Sequence, residues 1–334
     1  MNARPSPTTI RYIDLFCGLG GFRVAAEMAA RRRGFGARCV FSCDIDPHCQ
    51  AAYAGNFGET PHGDITGVEA RDIPPHDLLL AGFPCQPFSI IGKRKGFEDT
   101  RGTLFFDIAR IIEARRPPAF VLENVKLLLG HNQGRTMARI METLAQLGYH
   151  AERRVLNALD FGLPQKRERV FIVGLRDPRG FAWPPGGAPM APLSSILEKD
   201  VPKKFHASEH IRRRRRSRLQ PGPEPAIWHE NKSGHIGAHP YSCALRAGAS
   251  YNYLLVNGER RLTPREMLRL QGFPDSYRIV CNDAQTRKQA GNSLPAPVAA
   301  AVIEYVLQSH YFNDGHLQSR HAVVDHGQSQ IRRS

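Results

Sequence analysis

Tyr12-Ile13-Asp14-Leu15-Phe16-Cys17-Gly18-Leu19-Gly20-Gly21-Phe22 is the stretch that decides how this 334-residue chain folds. Tyr12 to Phe16 is a short apolar run of strand length, and three glycines then lead into a helical pattern. Glycine lets backbone amides approach a ligand closely, and a helix N-terminus favours negative charge, so the turn suits a nucleotide-like ligand. The spacing is not that of the GxGxxG dinucleotide fingerprint, and a glycine turn alone is weak.

Further strand candidates are Arg38 to Cys43, Asp77 to Ala81, Ala119 to Leu122 and Val170 to Leu175, with weaker ones near Asp64 and Val155. Between them Leu104, Phe105, Ile108, Ile111 and Ile112 follow helical spacing, as do Met137, Ile140, Met141, Leu144 and Leu147. Short strands alternating with helices predict an α/β fold, a doubly wound and mostly parallel sheet. Asp44, ending the second strand, and Asp64, near the end of the third, stand where carboxylates meet ribose hydroxyls or an adenine amino group. Either aspartate taken singly reads more simply as a cap or turn residue.

The alternation stops after Arg176, where prolines and glycines from Pro178 to Pro192 make regular structure unfavourable. We expect residues 1–186 plus 288–312 to form one domain and 187–287 a smaller one. Pro297 to Leu307 is too apolar to stand alone in water and should pack back onto the first domain. The polar tail 313–334 is expected to be disordered.

The chain carries 46 lysines and arginines against 31 acids, a formal charge of +15, which favours a polyanionic partner. No apolar run approaches the roughly 20 residues needed to span a bilayer, and the N-terminus has no signal-peptide stretch, so a cytoplasmic protein with no membrane partner is expected. Seven scattered cysteines fit a reducing compartment. Cys39, Cys43 and Cys49 lack a CxxC pair or matching histidines, so no metal is expected there.

One cysteine stands apart. Gly82-Phe83-Pro84-Cys85-Gln86-Pro87-Phe88-Ser89 holds Cys85 between two prolines after a strand, with Lys93, Arg94, Lys95 and Arg101 following. That position suits an active site, and the cations favour a thiolate and suit phosphates.

Six segments now occur in order: Asp14 to Phe22, Gly82 to Ser89, Glu123-Asn124-Val125, Gln165-Lys166-Arg167-Glu168-Arg169, Arg261 to Glu266 and Gly291-Asn292-Ser293. Together they resemble the motifs of the bacterial cytosine-C5 DNA methyltransferases, particularly the compact enzymes of restriction-modification systems, over about residues 10 to 310. The resemblance implies a Rossmann-like, S-adenosyl-L-methionine-dependent methyltransferase fold with a target-recognition domain. It implies Cys85 as the nucleophile, Glu123 as the acid at cytosine N3, Arg167 near cytosine O2 and the glutamate, and Arg169 in a supporting place. For the cofactor it points to Phe16, Gly18, Gly20, Asp44, Ile45, Asp64, Ile65, Pro84, Leu104, Asn292 and Ser293. The family often carries glutamate at the position of Asp44 and an aromatic at that of Ile45, so the ribose contact here is lengthened and a stacking surface removed.

Cytosine C5 and C6 lie inside the base stack, so the base must be flipped out and the DNA gripped elsewhere. Lys203 to Arg218 holds eight lysines and arginines against one acid, Glu209, and is expected to track phosphates. Ser89, Lys93, Arg101 and Gln165 are further DNA-contact candidates. Arg246 and Asn252, in Tyr241 to Asn252, are candidate base readers by their bidentate geometry. Double-stranded DNA is thus the expected partner, a cognate restriction endonuclease a functional one, and a monomer the expected state. The alternatives are a transfer-RNA cytosine-C5 methyltransferase and a catalytically silent DNA-binding protein.

Overall fold

The computed structural model describes residues 8–84, 104–219 and 224–313. Cys85, Ser89, Lys93, Arg101 and the tail beyond residue 313 lie outside the described residues.

The chain lays down β1 (Thr9–Leu15), α1 (Gly21–Arg33), β2 (Gly36–Cys43), α2 (Pro47–Phe57), β3 (Leu78–Gly82), α3 (Leu104–Arg115), β4 (Ala119–Val125), α4 (Arg135–Gln146) and β5 (His150–Asn157), then β6 (Gln165–Lys166) and β7 (Glu168–Leu175). Six of these strands form one sheet in the order β2-β1-β3-β4-β7-β5. The pairings β1 to β2, β1 to β3 and β3 to β4 are parallel, whereas β7 runs antiparallel to both β4 and β5. The mixed α/β fold with a mostly parallel sheet is therefore as expected, and the weak candidate at Val155 is a full strand. The candidate at Asp64 is not one. Asp64 instead caps a single 3-10 turn, its carboxylate accepting from the Thr66 amide at 2.9 Å. A side chain that bonds its own backbone two residues on favours turns over strands.

Strand residues alternate between the two sheet faces, and each face meets helices. Tyr12, Leu78, Leu80, Val121 and Val173 pack with α1 and with α8 (Ala296–Val306), through Ala25, Ala29, Ala299 and Ile303. Ile13, Leu79, Ala81, Leu122 and Ile172 pack on the other side with α3 and α4, through Ile108, Ile111 and Ile140. A sheet buried on both faces explains why β3 reads as unbroken apolar sequence, Leu78-Leu79-Leu80-Ala81.

From Arg176 to Pro192 the backbone is largely irregular. Beyond it come α5 (Glu209–Arg216), a three-stranded antiparallel sheet of β8 (Ile227–Glu230), β9 (Ile236–His239) and β11 (Leu254–Val256), and the short β10 (Ser242–Cys243), which pairs with β6. α6 (Pro264–Leu270) starts with a reciprocal capping box between Thr263 and Glu266, and α7 (Asp283–Asn292) runs back toward the large sheet. A third core joins Leu19, Val24 and Ala52 to Ile227, Leu245, Leu268 and Phe273, so this part of the chain shares its packing with the first helices.

The arginines of α5 do not form a free cationic face. Arg212 pairs with Glu209 at 2.6 Å and with Glu259 at 3.1 Å, Arg213 with Glu209 at 3.0 Å, Arg214 with Glu230, and Arg216 with Glu259. Arg215 is wholly buried, paired with Glu230 at 3.0 Å and bonded to the carbonyl of Asn252. Glu209 in the same helix and Glu230 and Glu259 farther along the chain pair with the five arginines, so the charge expected to track phosphates is reduced but not cancelled: Arg215 braces the small sheet, while the Arg213 side chain stays 77% exposed.

Candidate active site

At the carboxyl ends of β1, β2, β3 and β4 lies a cavity of about 660 Å³. The turn after β1 builds one wall. Phe16 takes a left-handed backbone conformation, with φ of 57°, which is uncommon for a non-glycine residue and marks a constrained site. Gly20, the N-cap of α1, has φ of 77°, and a Cβ there would sit 2.3 Å from the Phe57 ring, so only glycine fits.

Asp44 follows β2. One carboxylate oxygen accepts from the Gly18 amide at 2.8 Å and the other from Asp46 at 2.9 Å. Burial nevertheless raises its pKa above the usual carboxylate range. Asp46 caps α2 and pairs with Lys288 of α7 at 3.1 Å, and both line the cavity. Ile45, Asp64, Ile65, Pro84, Leu104, Asn292 and Ser293 all line the same cavity, as do Phe16 and Gly18. Ile45 is 71% exposed, an apolar surface turned to the opening. Gly20 is not on the wall but shapes the turn. Lys288 and Gln289, both lining the cavity, escape a sequence reading, because their partners Asp46 and His48 stand some 240 positions earlier.

The floor is charged. Glu123, the fifth residue of β4, is 8% exposed, and its Oε1 meets Arg169 Nε at 2.9 Å. Burial raises the glutamate pKa, against the opposing pull of Arg169 first and Arg167 second. Burial likewise lowers that of Arg169, and Glu123 counters it. Asn124 fixes the neighbouring loop: its amide donates to the Phe83 carbonyl at 2.9 Å, and its Oδ1 accepts from the Val125 amide at 2.8 Å. Pro84, one residue before Cys85, therefore stands on a loop tied to the strand that carries Glu123.

Two of the sequence expectations need correction. Arg167 does not face the cavity. It is 1% exposed, donating from Nη1 to the Leu245 carbonyl at 2.8 Å and from Nη2 to the carbonyls of Gly291 at 2.9 Å and Ser293 at 2.6 Å. Residues two apart in extended chain share a side, so both arginines turn inward, but Arg169, not Arg167, reaches the glutamate. Gln165 cannot touch DNA, because it is wholly buried: Nε2 donates to the Leu270 carbonyl at 2.7 Å and Oε1 accepts from the Leu245 amide at 3.1 Å. Asn252 is half-buried, with its backbone carbonyl accepting from Arg215. Arg246, by contrast, is exposed, with its guanidinium 4.8 Å from the centre of the Tyr253 ring.

Cys17, Cys43 and Cys49 also line the cavity. Burial pushes Cys43 and Cys49 up to about 12 and Cys17 well above its ordinary value. These three thiols stay protonated near neutrality and are poor nucleophiles.

Comparison with known proteins places this arrangement. The model of the C-5 cytosine-specific DNA methylase family matches residues 10–235 and 208–308. The chain is 54% identical over 292 residues to the Type II methyltransferase M.NgoBI of Neisseria gonorrhoeae, covering 86% of this chain and 90% of that protein. It is 52% identical over 300 residues to the Type II methyltransferase M.HaeII of Haemophilus aegyptius, covering 89% and 92%. Among solved structures, the Dnmt2 methyltransferase of S. pombe superposes with a TM-score of 0.69 at 21% identity, covering 90% of this chain and 98% of that one, a likeness of fold. The chain belongs to the family of C-5 cytosine-specific DNA methylases.

Proposed function

We propose that this DNA cytosine-C5 methyltransferase takes its methyl group from S-adenosyl-L-methionine and attacks its base with Cys85. The observation that carries the reading is the buried Glu123–Arg169 pair on the floor of a cofactor-sized cavity, beside the loop that leads into Cys85. The cavity residues fit such a cofactor. Asp44, Asp46 and Asp64 offer carboxylates to a ligand with sulfonium and ammonium charges, Gly18 leaves open space where a side chain would stand, and exposed Ile45 offers apolar surface. When bound, the cofactor supplies an electrophilic methyl group.

The remaining chemistry belongs to the chain. The Cys85 thiolate bonds to C6 of an extruded cytosine, and the ring electrons shift toward N3. Glu123, whose pKa burial raises, donates a proton there and leaves C5 nucleophilic. Arg169 holds the carboxyl in place and presents its guanidinium toward the base oxygen O2. Once C5 carries the methyl, a water molecule takes the C5 proton, the electrons return to the ring, the C6–S bond breaks to release the Cys85 thiolate, and N3 returns its proton to Glu123.

The Type II methyltransferases among the relatives support a place as the modification enzyme of a restriction-modification system. Its endonuclease would be a functional rather than a physical partner. We infer a monomer acting on duplex DNA in the cytoplasm of a prokaryotic cell or its phage. Residues 1–186 with 288–312 would serve catalysis and 187–287 target recognition, with Ser89, Lys93 and Arg101 at the DNA. Incubation with labelled cofactor and either duplex DNA or transfer RNA tests the reading. Label should enter DNA, and Cys85→Ser should abolish transfer while retaining specific DNA binding. Label in RNA alone, or full activity of Cys85→Ser, would overturn it.

A further inference from the structure

The arginines of α5 pair with Glu209, Glu230 and Glu259, and base reading calls for donors held beside the active site. The small sheet has a face that offers them. Ile227, His229, Gly237 and His239 share one side of the β8–β9 pair, where Ile227 stands opposite His239 and His229 opposite Gly237. At Ile227 this face packs into the core shared with the first helices. At its other positions it turns polar. His239 folds over Gly237, stacks on Tyr241 with ring centres 5.2 Å apart and planes inclined by 16°, and is half-buried. His229, also half-buried, meets the Tyr253 ring edge-on at 6.3 Å.

Arg246 completes the group. Its guanidinium covers the same Tyr253 ring at 4.8 Å, and its amide donates to the Tyr253 hydroxyl at 3.0 Å. No carboxylate pairs with it among the described residues, and the side chain is exposed. The group also borders the active site. A Cβ on Gly291 would lie 2.4 Å from the Ala247 amide nitrogen, so the backbone of Arg246 and Ala247 rests on the turn of α7 that precedes Asn292 and Ser293. Lys166, exposed on β6, pairs in register with Cys243, three residues before Arg246.

We propose that His229, His239 and Arg246 form the base-reading edge of this enzyme, and that they read guanine next to the target cytosine. This rests on the DNA methyltransferase reading above. Guanine offers two acceptors, O6 and N7, in the major groove, and a guanidinium or an imidazole N–H donates to them, with Arg the commonest partner. Tyr241 and Tyr253 hold the donors by ring contact, which fixes direction without consuming a guanidinium N–H. Burial and the neighbouring Arg246 and His239 lower the pKa of His229, which keeps it neutral and able to offer one donor and one acceptor.

The test is methylation of a duplex library randomised around a single cytosine, sequenced after bisulfite-type conversion, for the wild type and for Arg246→Ala, Arg246→Lys, His239→Ala, His229→Ala and Arg213→Ala. Wild type should require guanine at one or more positions beside the cytosine. Arg246→Ala and His239→Ala should each lose on the order of tenfold or more in that discrimination, at one position each. Their kcat at saturating DNA should stay within about threefold, with the loss in KM. Arg246→Lys should recover part of the preference, and Arg213→Ala should match wild type. Unchanged site preference in the three alanine variants of the edge, or an equal loss at every position, would overturn the proposal. A wild-type protein that methylates no duplex cytosine would overturn the underlying reading and this one with it.

Discussion

Two arginines two positions apart share a motif and have different work. Arg169 meets a titratable carboxyl in the cavity, whereas Arg167 satisfies three carbonyls from β10's loop and the end of α7. Arg169→Ala should therefore lower kcat by at least about 100-fold with little change in thermal midpoint. Arg167→Ala should cost about 3 kcal/mol or more in denaturant unfolding, because it strands buried carbonyls that have no water to bond. Equal activity losses with equal stability losses would contradict the division. Asp14 makes a second case. It is wholly buried in β1, and burial raises its pKa well above the carboxylate range, with Asp44 adding to the rise and Arg23 opposing it. A carboxyl with a raised folded pKa contributes stability below its unfolded pKa of about 3.9, and that contribution is lost as pH rises through the folded value. Thermal midpoints of the wild type should fall over that rise relative to Asp14→Asn, so the variant gains most at the alkaline end. A constant difference from pH 4 to 8 would refute the assignment.

At the scale of elements, α5 shows how composition misleads. Five consecutive arginines on a short helix suggest a phosphate track, yet Glu209, Glu230 and Glu259 surround them. Arg215 carries the helix onto the sheet, and Arg215→Ala should cost about 3 kcal/mol or more in denaturant unfolding, while the midpoint of Arg213→Ala stays at the wild-type value. α7 is the matching connector on the other side. Its one helix sets Lys288 and Gln289 on the cavity wall, and its Gly291 admits the backbone of Arg246 and Ala247. Gly291→Ala has no room for its methyl group and should impair methyl transfer and lower the thermal midpoint together; a variant with wild-type values for both would show that the loop is free to move.

Across the whole molecule, the two sheet faces and the shared third core tie the first helices to the last, with α1 against α8 on one side. The cavity proposed for the cofactor lies where these parts meet, lined by residues from Phe16 to Leu294. A ligand that binds only the folded state stabilises it by mass action. S-adenosyl-L-homocysteine at about 100 times its Kd should add about 2.7 kcal/mol, and Phe16→Ala should weaken that gain. Absence of any shift in the thermal midpoint at high ligand would argue against the cavity as the cofactor site.

The sequence by itself determined the α/β class, the order of strands and helices, and the residue types that surround the cavity. Strand and helix periodicities are local, and six motifs in fixed order carry their chemistry in adjacent residues, as Glu123-Asn124-Val125 does. Only the tertiary structure decided which charges are free. Whether an arginine reaches a glutamate, a carbonyl or solvent depends on partners some 16 to 126 positions away, as with Arg214 and Glu230 or Arg167 and Ser293. Burial then sets the protonation of Glu123 and of the cavity thiols, and burial is a property of packing. For the same reason Gln165 is buried while His229 and His239 share a polar stretch of the small sheet: a strand's sequence fixes its alternation, but the neighbouring core decides which side is covered.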